Sequence, residues 1–184
     1  MTTFFLVRHA EKTDAANLLS GRRPGVSLTV RGREQAVRLG RHFASLAPPP
    51  GAIYSSPLER AQETACAIGE ACGLAVQCDE RLHEFDFGEW TGRTFAELRS
   101  DSRWSAFNER RSLVGAPGGE TMLAVQHRFV EALLALTKRE LGRAVVVVSP
   151  DSPSILAPFP RCDSTRAVRR SSRSTPPFDR LRVT

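Results

Sequence analysis

The stretch TFFLVRHAEK, residues 3–12, is an apolar run that ends abruptly on Arg8 and His9. Hydrophobicity that is continuous rather than alternating over so short a run is the pattern of a strand buried on both faces. Working outward, the pattern recurs as AIYSS at 52–56, LAVQC at 74–78 and AVVVVS at 144–149. Helical spacing fills the gaps. Val30, Ala36, Val37, Phe43 and Ala44 mark a helix over about 29–46, and Met122, Val125, Phe129, Leu133 and Leu136 mark a long one within 119–141. After AIYSS, Ser56 as N-cap, Pro57 at the first helical position and Glu59 closing a capping box predict a helix start that sets Arg60 in its first turn. Alternating helices and apolar strands predict an α/β fold: a three-layer α/β/α sandwich around a mostly parallel sheet, with 74–78 at its edge. Such sheets bind ligands at the carboxyl ends of their strands. Arg8, His9 and Arg60 all fall there.

At 184 residues, 41% hydrophobic and 25% charged, the composition is that of one globular domain. The first residues carry no basic stretch, and Phe4–Val7 is far too short for a membrane span of roughly 20 residues, so a soluble cytoplasmic protein with no membrane partner is expected. Cys66, Cys72, Cys78 and Cys162 show no C-x-x-C spacing and no paired histidines nearby. Neither a zinc site nor a disulfide framework is indicated, and the thiols read as reduced and mostly buried. The net charge of +6 invites a nucleic-acid reading, yet residues 149–184 hold seven Arg and three Asp, leaving only +2 for residues 1–148. With no basic stretch interleaved with aromatics and no recognition-helix motif, nucleic acid is not expected as a partner.

Two arginines and a histidine converging on one crevice suit a phosphoryl group. Guanidinium forks match phosphate oxygens, and an imidazole nitrogen can attack phosphorus. The arginines would also keep His9 neutral, as nucleophilic attack requires. A solvated pair at a strand end would show the same two residues, so the downstream stretch RLHEFDFGEWTG, residues 81–92, carries more weight. It sets Glu84 between His83 and Phe85 in a turn-rich aromatic loop. A carboxyl group held against apolar side chains and a dianionic phosphate would have its pKa raised and could protonate a leaving alkoxide. Glu84 is the candidate general acid.

The motifs LVRHAEK, YSSPLERAQETA, LHEFDFGEWTG and APGGET, in this order, resemble those of the histidine phosphatase superfamily, in its phosphoglycerate mutase-like branch. The likeness spans residues 3 to about 149. It implies that His9 becomes a phosphohistidine, that Arg8 and Arg60 hold the phosphate, and that Glu84 acts as acid and then as base. Arg22, in LSGRRPG, resembles part of the loop near the phosphate. Ala10 stands where the family usually has glycine. The implied reaction is hydrolysis of a small phosphate monoester with no cofactor and no metal, because guanidinium groups supply the positive charge. A mutase is the alternative, but the roughly 32 residues between Glu84 and PGGE leave little material for a water-excluding lid.

The family's apolar strand is followed by a His-Gly pair whose histidine donates to the phosphoryl oxygens, whereas this chain reads Ser149-Pro150-Asp151. No histidine follows His127. His42 and His127 fall on predicted helices, and His83 could approach only from the loop side. A weakened enzyme, or a phosphate-ester binding remnant without turnover, is therefore also consistent with the sequence. Residues 1–149 form the expected domain. Residues 150–184 form an atypical tail in which Ser, Pro and Arg make up 20 of the 36 residues from Ser149 onward. Either a shifted reading frame or true divergence would produce that junction. Disorder from about residue 152, an incomplete C-terminal portion and exposed apolar sheet surface are expected.

Overall fold

The structure, a computed structural model, describes residues 1–13 and 17–150 together with the backbone of 178–183. Four strands, β1 (Thr2–Arg8), β2 (Ala52–Ser55), β3 (Val76–Cys78) and β4 (Ala144–Ser149), run parallel, and β5 (Phe178–Val183) lies antiparallel beside β1. The order is β3-β2-β4-β1-β5, so β3 is an edge as the sequence predicts. Five α-helices, α1 (Val30–Ala44), α2 (Glu59–Cys72), α3 (Phe95–Arg99), α4 (Ser102–Glu109) and α5 (Met122–Arg139), and two short 3-10 turns, Glu80–Leu82 and Gly88–Trp90, complete the described fold.

Successive strand residues face opposite ways, and both faces are covered. Phe5, Val7, Ile53, Val146 and Val148 meet Leu39 and Phe43 of α1 and Ala61, Ala65 and Ile68 of α2. Phe4, Leu6, Tyr54, Val145 and Val147 meet Val125, Phe129, Leu133 and Leu136 of α5, with Trp90 and Phe107 beyond. Burying a side chain of this size contributes about 1.5–3 kcal/mol. The three-layer sandwich is as predicted. The expected exposure of apolar sheet surface is not found: Phe4, Val7 and Val145 to Val148 are all at 0%.

Several boundaries differ for physical reasons. The buried stripe of α1 is Gly32, Ala36, Leu39, Gly40 and Phe43, while Val30 and Val37 face solvent. Helix α2 starts at Glu59 with Leu58 as N-cap, not at Ser56. The Ser56 N–H continues the sheet ladder to the Val148 carbonyl at 2.9 Å, and Glu59 accepts from Gly25 N–H at 2.9 Å instead of closing a box. A true capping box forms at Thr94 and Glu97 of α3. Strand β3 begins at Val76 because Leu74 N–H is still bonded to Gly69 at the end of α2. Cys66 and Cys78 are exposed and Cys72 is half-buried, so these thiols are not core residues, and Cys162 lies outside the described residues. The expectation for the tail falls largely on 151–177, also outside them. At 178–183, where no order was expected, the backbone is a strand of the main sheet. Among the described residues no helix is long and apolar enough to cross a membrane.

Candidate active site

Strand β1 ends at Arg8, paired with Ser149 across the parallel ladder, so His9 emerges at the carboxyl edge of the sheet. Its Nδ1 lies 2.6 Å from the Ala10 carbonyl. A carbonyl oxygen can only accept, so Nδ1 carries the ring proton and Nε2 keeps its lone pair. The imidazole pKa is lowered from 6.5 to about 4, first by burial and then by the positive charges of Arg60, Arg8 and Lys12, against the opposing pull of the Ala10 carbonyl. Neutrality was expected from the arginines. Burial contributes more.

Arg60 sits in the first turn of α2 and is 1% exposed. Its Nη2 donates to the Gly21 carbonyl at 2.8 Å and lies 3.8 Å from Glu84 Oε2. Thr64, one turn further on, ties this helix to the His9 loop: its hydroxyl donates to the Arg60 carbonyl at 2.8 Å and accepts from Ala10 N–H at 3.1 Å. Ala10 is thus accommodated with its amide hydrogen-bonded. Glu84 Oε1 accepts from Phe85 N–H at 2.8 Å, which aims the other oxygen at Arg60.

The structure therefore brings His9, Arg60 and Glu84 together. Arg8 is exposed at the rim, close enough to His9 to lower its pKa. Arg22, expected in the loop near the phosphate, has three acceptors. Its Nε donates to the Glu84 carbonyl at 2.8 Å, its Nη2 lies 2.9 Å from Glu120 Oε2, and its Nη1 lies 3.5 Å from Asp86. These acceptors hold the guanidinium against the acid loop. Lys12, which sequence reading passed over, donates to Ser20 Oγ and adds positive charge beside His9. Its place in RHAEK, just past the strand end, was the available signal.

The acid loop is locked against the APGGET turn. A side chain on Gly119 would stand 2.2 Å from the Asp86 carbonyl, and one on Gly88, at φ +49°, would stand 2.2 Å from the Pro117 carbonyl. Only glycine permits this approach. Two backbone bonds cross the junction, Glu89 N–H to Pro117 and Glu120 N–H to Asp86, both at 2.9 Å.

At the end of β4, buried Ser149 donates from Oγ to the Leu82 carbonyl at 3.2 Å, and Pro150 follows. His83 is half-buried and accepts from Glu84 N–H at Nδ1, while His42 and His127 are exposed on α1 and α5. Among the described residues no group of three or more His, Cys, Asp or Glu side chains could hold a metal ion.

The parallel sheet thus presents an imidazole, a buried guanidinium and a carboxyl group at its carboxyl edge. The chain belongs to the histidine phosphatase superfamily (branch 1), which matches residues 4–152. It is 34% identical over 161 residues to phosphoserine phosphatase 1 of Hydrogenobacter thermophilus, covering 83% of this chain and 72% of that protein. It is 32% identical over 157 residues to the probable phosphoglycerate mutase GpmB of Salmonella paratyphi C, covering 81% of this chain and 69% of that protein. The structure of mycobacterial glucosyl-3-phosphoglycerate phosphatase Rv2419c superposes with a TM-score of 0.72 at 27% identity, over 83% of this chain and 75% of that one.

Proposed function

We propose that the chain is a phosphomonoesterase working through a phosphohistidine on His9. The observation that carries this reading is the hydrogen bond of His9 Nδ1 to the Ala10 carbonyl, which leaves the lone pair on Nε2, in a buried setting where the charges of Arg60 and Arg8 also disfavour the imidazolium. Nε2 attacks phosphorus, the ester P–O bond breaks, and the leaving alkoxide takes its proton from Glu84. Arg60 and Arg8 balance the charge on the phosphoryl oxygens. Water then attacks phosphorus, giving its proton to the Glu84 carboxylate, and the P–N bond breaks to release phosphate and restore the imidazole.

The family's histidine after β4 is replaced by Pro150, and loss of one preorganised donor costs about 10²–10³ in rate. A slow enzyme is the expectation. Release of phosphate from an aryl phosphate, compared between the chain and its His9→Ala variant, tests the proposal: the variant loses turnover, and equal rates would end it. Supplying a phosphoglycerate in the same assay separates hydrolysis from mutase activity, since only the mutase returns an isomer in place of free phosphate.

A further inference from the structure

Behind the candidate acid lies a cluster that the reaction above does not use. Arg128 of α5 is mostly buried and donates from Nη1 to the carbonyls of Arg81 and His83, each at 2.7 Å, and from Nη2 to the Glu84 carbonyl at 3.0 Å. The Glu84 carbonyl also takes Arg22 Nε at 2.8 Å, so guanidinium groups from two distant parts of the chain meet on one peptide oxygen. Glu120 joins them. Its Oε1 lies 2.9 Å from Arg128 Nε, and its Oε2 receives Arg128 Nη2 at 3.0 Å, Arg22 Nη2 at 2.9 Å and the Asp86 N–H at 3.0 Å.

Bidentate arginine-carboxylate geometry is directional, and here it fixes the backbone on both sides of Glu84. Charge is equally constrained. Arg22 and Arg128 are offset by Glu120 and Asp86, so the cluster has no net charge. Two uncompensated guanidinium groups this close to Glu84 would hold its carboxyl in the ionised form and remove its proton. Consistent with tight pairing, the Glu120 pKa is lowered: burial opposes this, but the hydrogen bonds from Arg128 and Asp86 and the charges of Arg128 and Arg22 outweigh it.

We propose that Arg22, Glu120 and Arg128, balanced in charge by Asp86, form a clamp that positions Glu84 and keeps its carboxyl able to carry a proton. The proposal rests on the reading of Glu84 as general acid. The charged and titratable groups around Glu84 include Arg60 from α2 with His9 beyond it at the end of β1, Arg128 from α5, Arg22 and Glu120 from their loops, and His83 and Asp86 from its own loop. All three clamp residues are positioning residues.

The test is the pH profile of kcat/KM for phosphoserine, an alkyl ester whose leaving group needs a proton. Its alkaline limb reports loss of that proton from Glu84. Glu120→Gln leaves the clamp with an extra positive charge and moves the limb down by about one pH unit; Arg128→Gln leaves an extra negative charge and moves it up by about as much. Arg22→Gln repeats the upward shift should Arg128→Gln fail to fold. Each variant also loses about 10²-fold in rate on phosphoserine through misplacement of the acid, and much less on an aryl phosphate. A side chain with only a structural role would not move the limb in opposite directions. Glu84→Gln is the control. Selective loss on phosphoserine in that control, with unmoved limbs in the clamp variants, overturns the clamp alone. Equal loss on both esters in Glu84→Gln removes Glu84 from the acid's role and the clamp with it.

Discussion

At the scale of the residue, His9 shows how a local hydrogen bond and burial together set a chemical state. The Ala10 carbonyl fixes the tautomer, and burial drives the pKa to about 4. This has a measurable consequence for stability. Between pH 6.5 and about 4 the unfolded chain protonates this histidine while the folded one does not, so the unfolded state binds more protons and stability falls as pH falls. Each unit of pKa difference corresponds to about 1.4 kcal/mol, so the loss across the window is on the order of 3 kcal/mol. Urea unfolding at pH 7 and pH 4.5 should show a steeper loss for the native chain than for His9→Asn. Parallel losses would mean that His9 titrates normally in the folded state. The placement of Arg8, His9 and Arg60 at the carboxyl edge of the sheet was legible because strand ends and helix starts carry local signals, and Glu84 stood out through its turn-rich aromatic loop. Arg22 was singled out only through resemblance to the family's loop near the phosphate, and not as a clamp residue, since its acceptors on Glu84 and Asp86 lie 62 and 64 positions away. Glu120 stands in the APGGET motif, which marks the turn but not its partners, and Arg128 carries no local sign of its role.

At the scale of the element, the four parallel strands were readable and the junctions were not. The helix-start signal at Ser56 is genuine in composition, yet the sheet ladder captures the Ser56 amide and the loop at Gly25 captures Glu59. Tertiary partners outcompete a local cap where they offer equivalent bonds. The end of β4 matters most for chemistry. Because Ser149 lies opposite Arg8 in the parallel register, residue 150 is the next position along, beside His9. A histidine there would supply a donor to the phosphoryl oxygens. Pro150→His is expected to raise turnover of an aryl phosphate by about 10²-fold. An unchanged rate in a folded variant would show that the donor cannot be restored at this position alone.

At the scale of the whole molecule, the two ends of the sheet do different work. The amino end is tied by Thr2, whose hydroxyl donates to the Glu140 carbonyl at 3.0 Å, and by Tyr54, whose hydroxyl donates to Glu140 Oε1 at 2.8 Å. Burial and then that bond push the Tyr54 hydroxyl up to about 12. The carboxyl end holds the candidate reactive groups, His9, Arg60 and Glu84. Composition misled at β5: FDRLRV lies in an arginine- and proline-rich stretch, but strand formation there follows from the available edge of β1. The central claim is that His9 is the residue that becomes phosphorylated, and trapping tests it most directly. Labelled substrate mixed with the full chain and denatured within the turnover time should leave acid-labile phosphate on the peptide containing His9. Label on another residue, or none on a chain that is turning over substrate, would contradict the account.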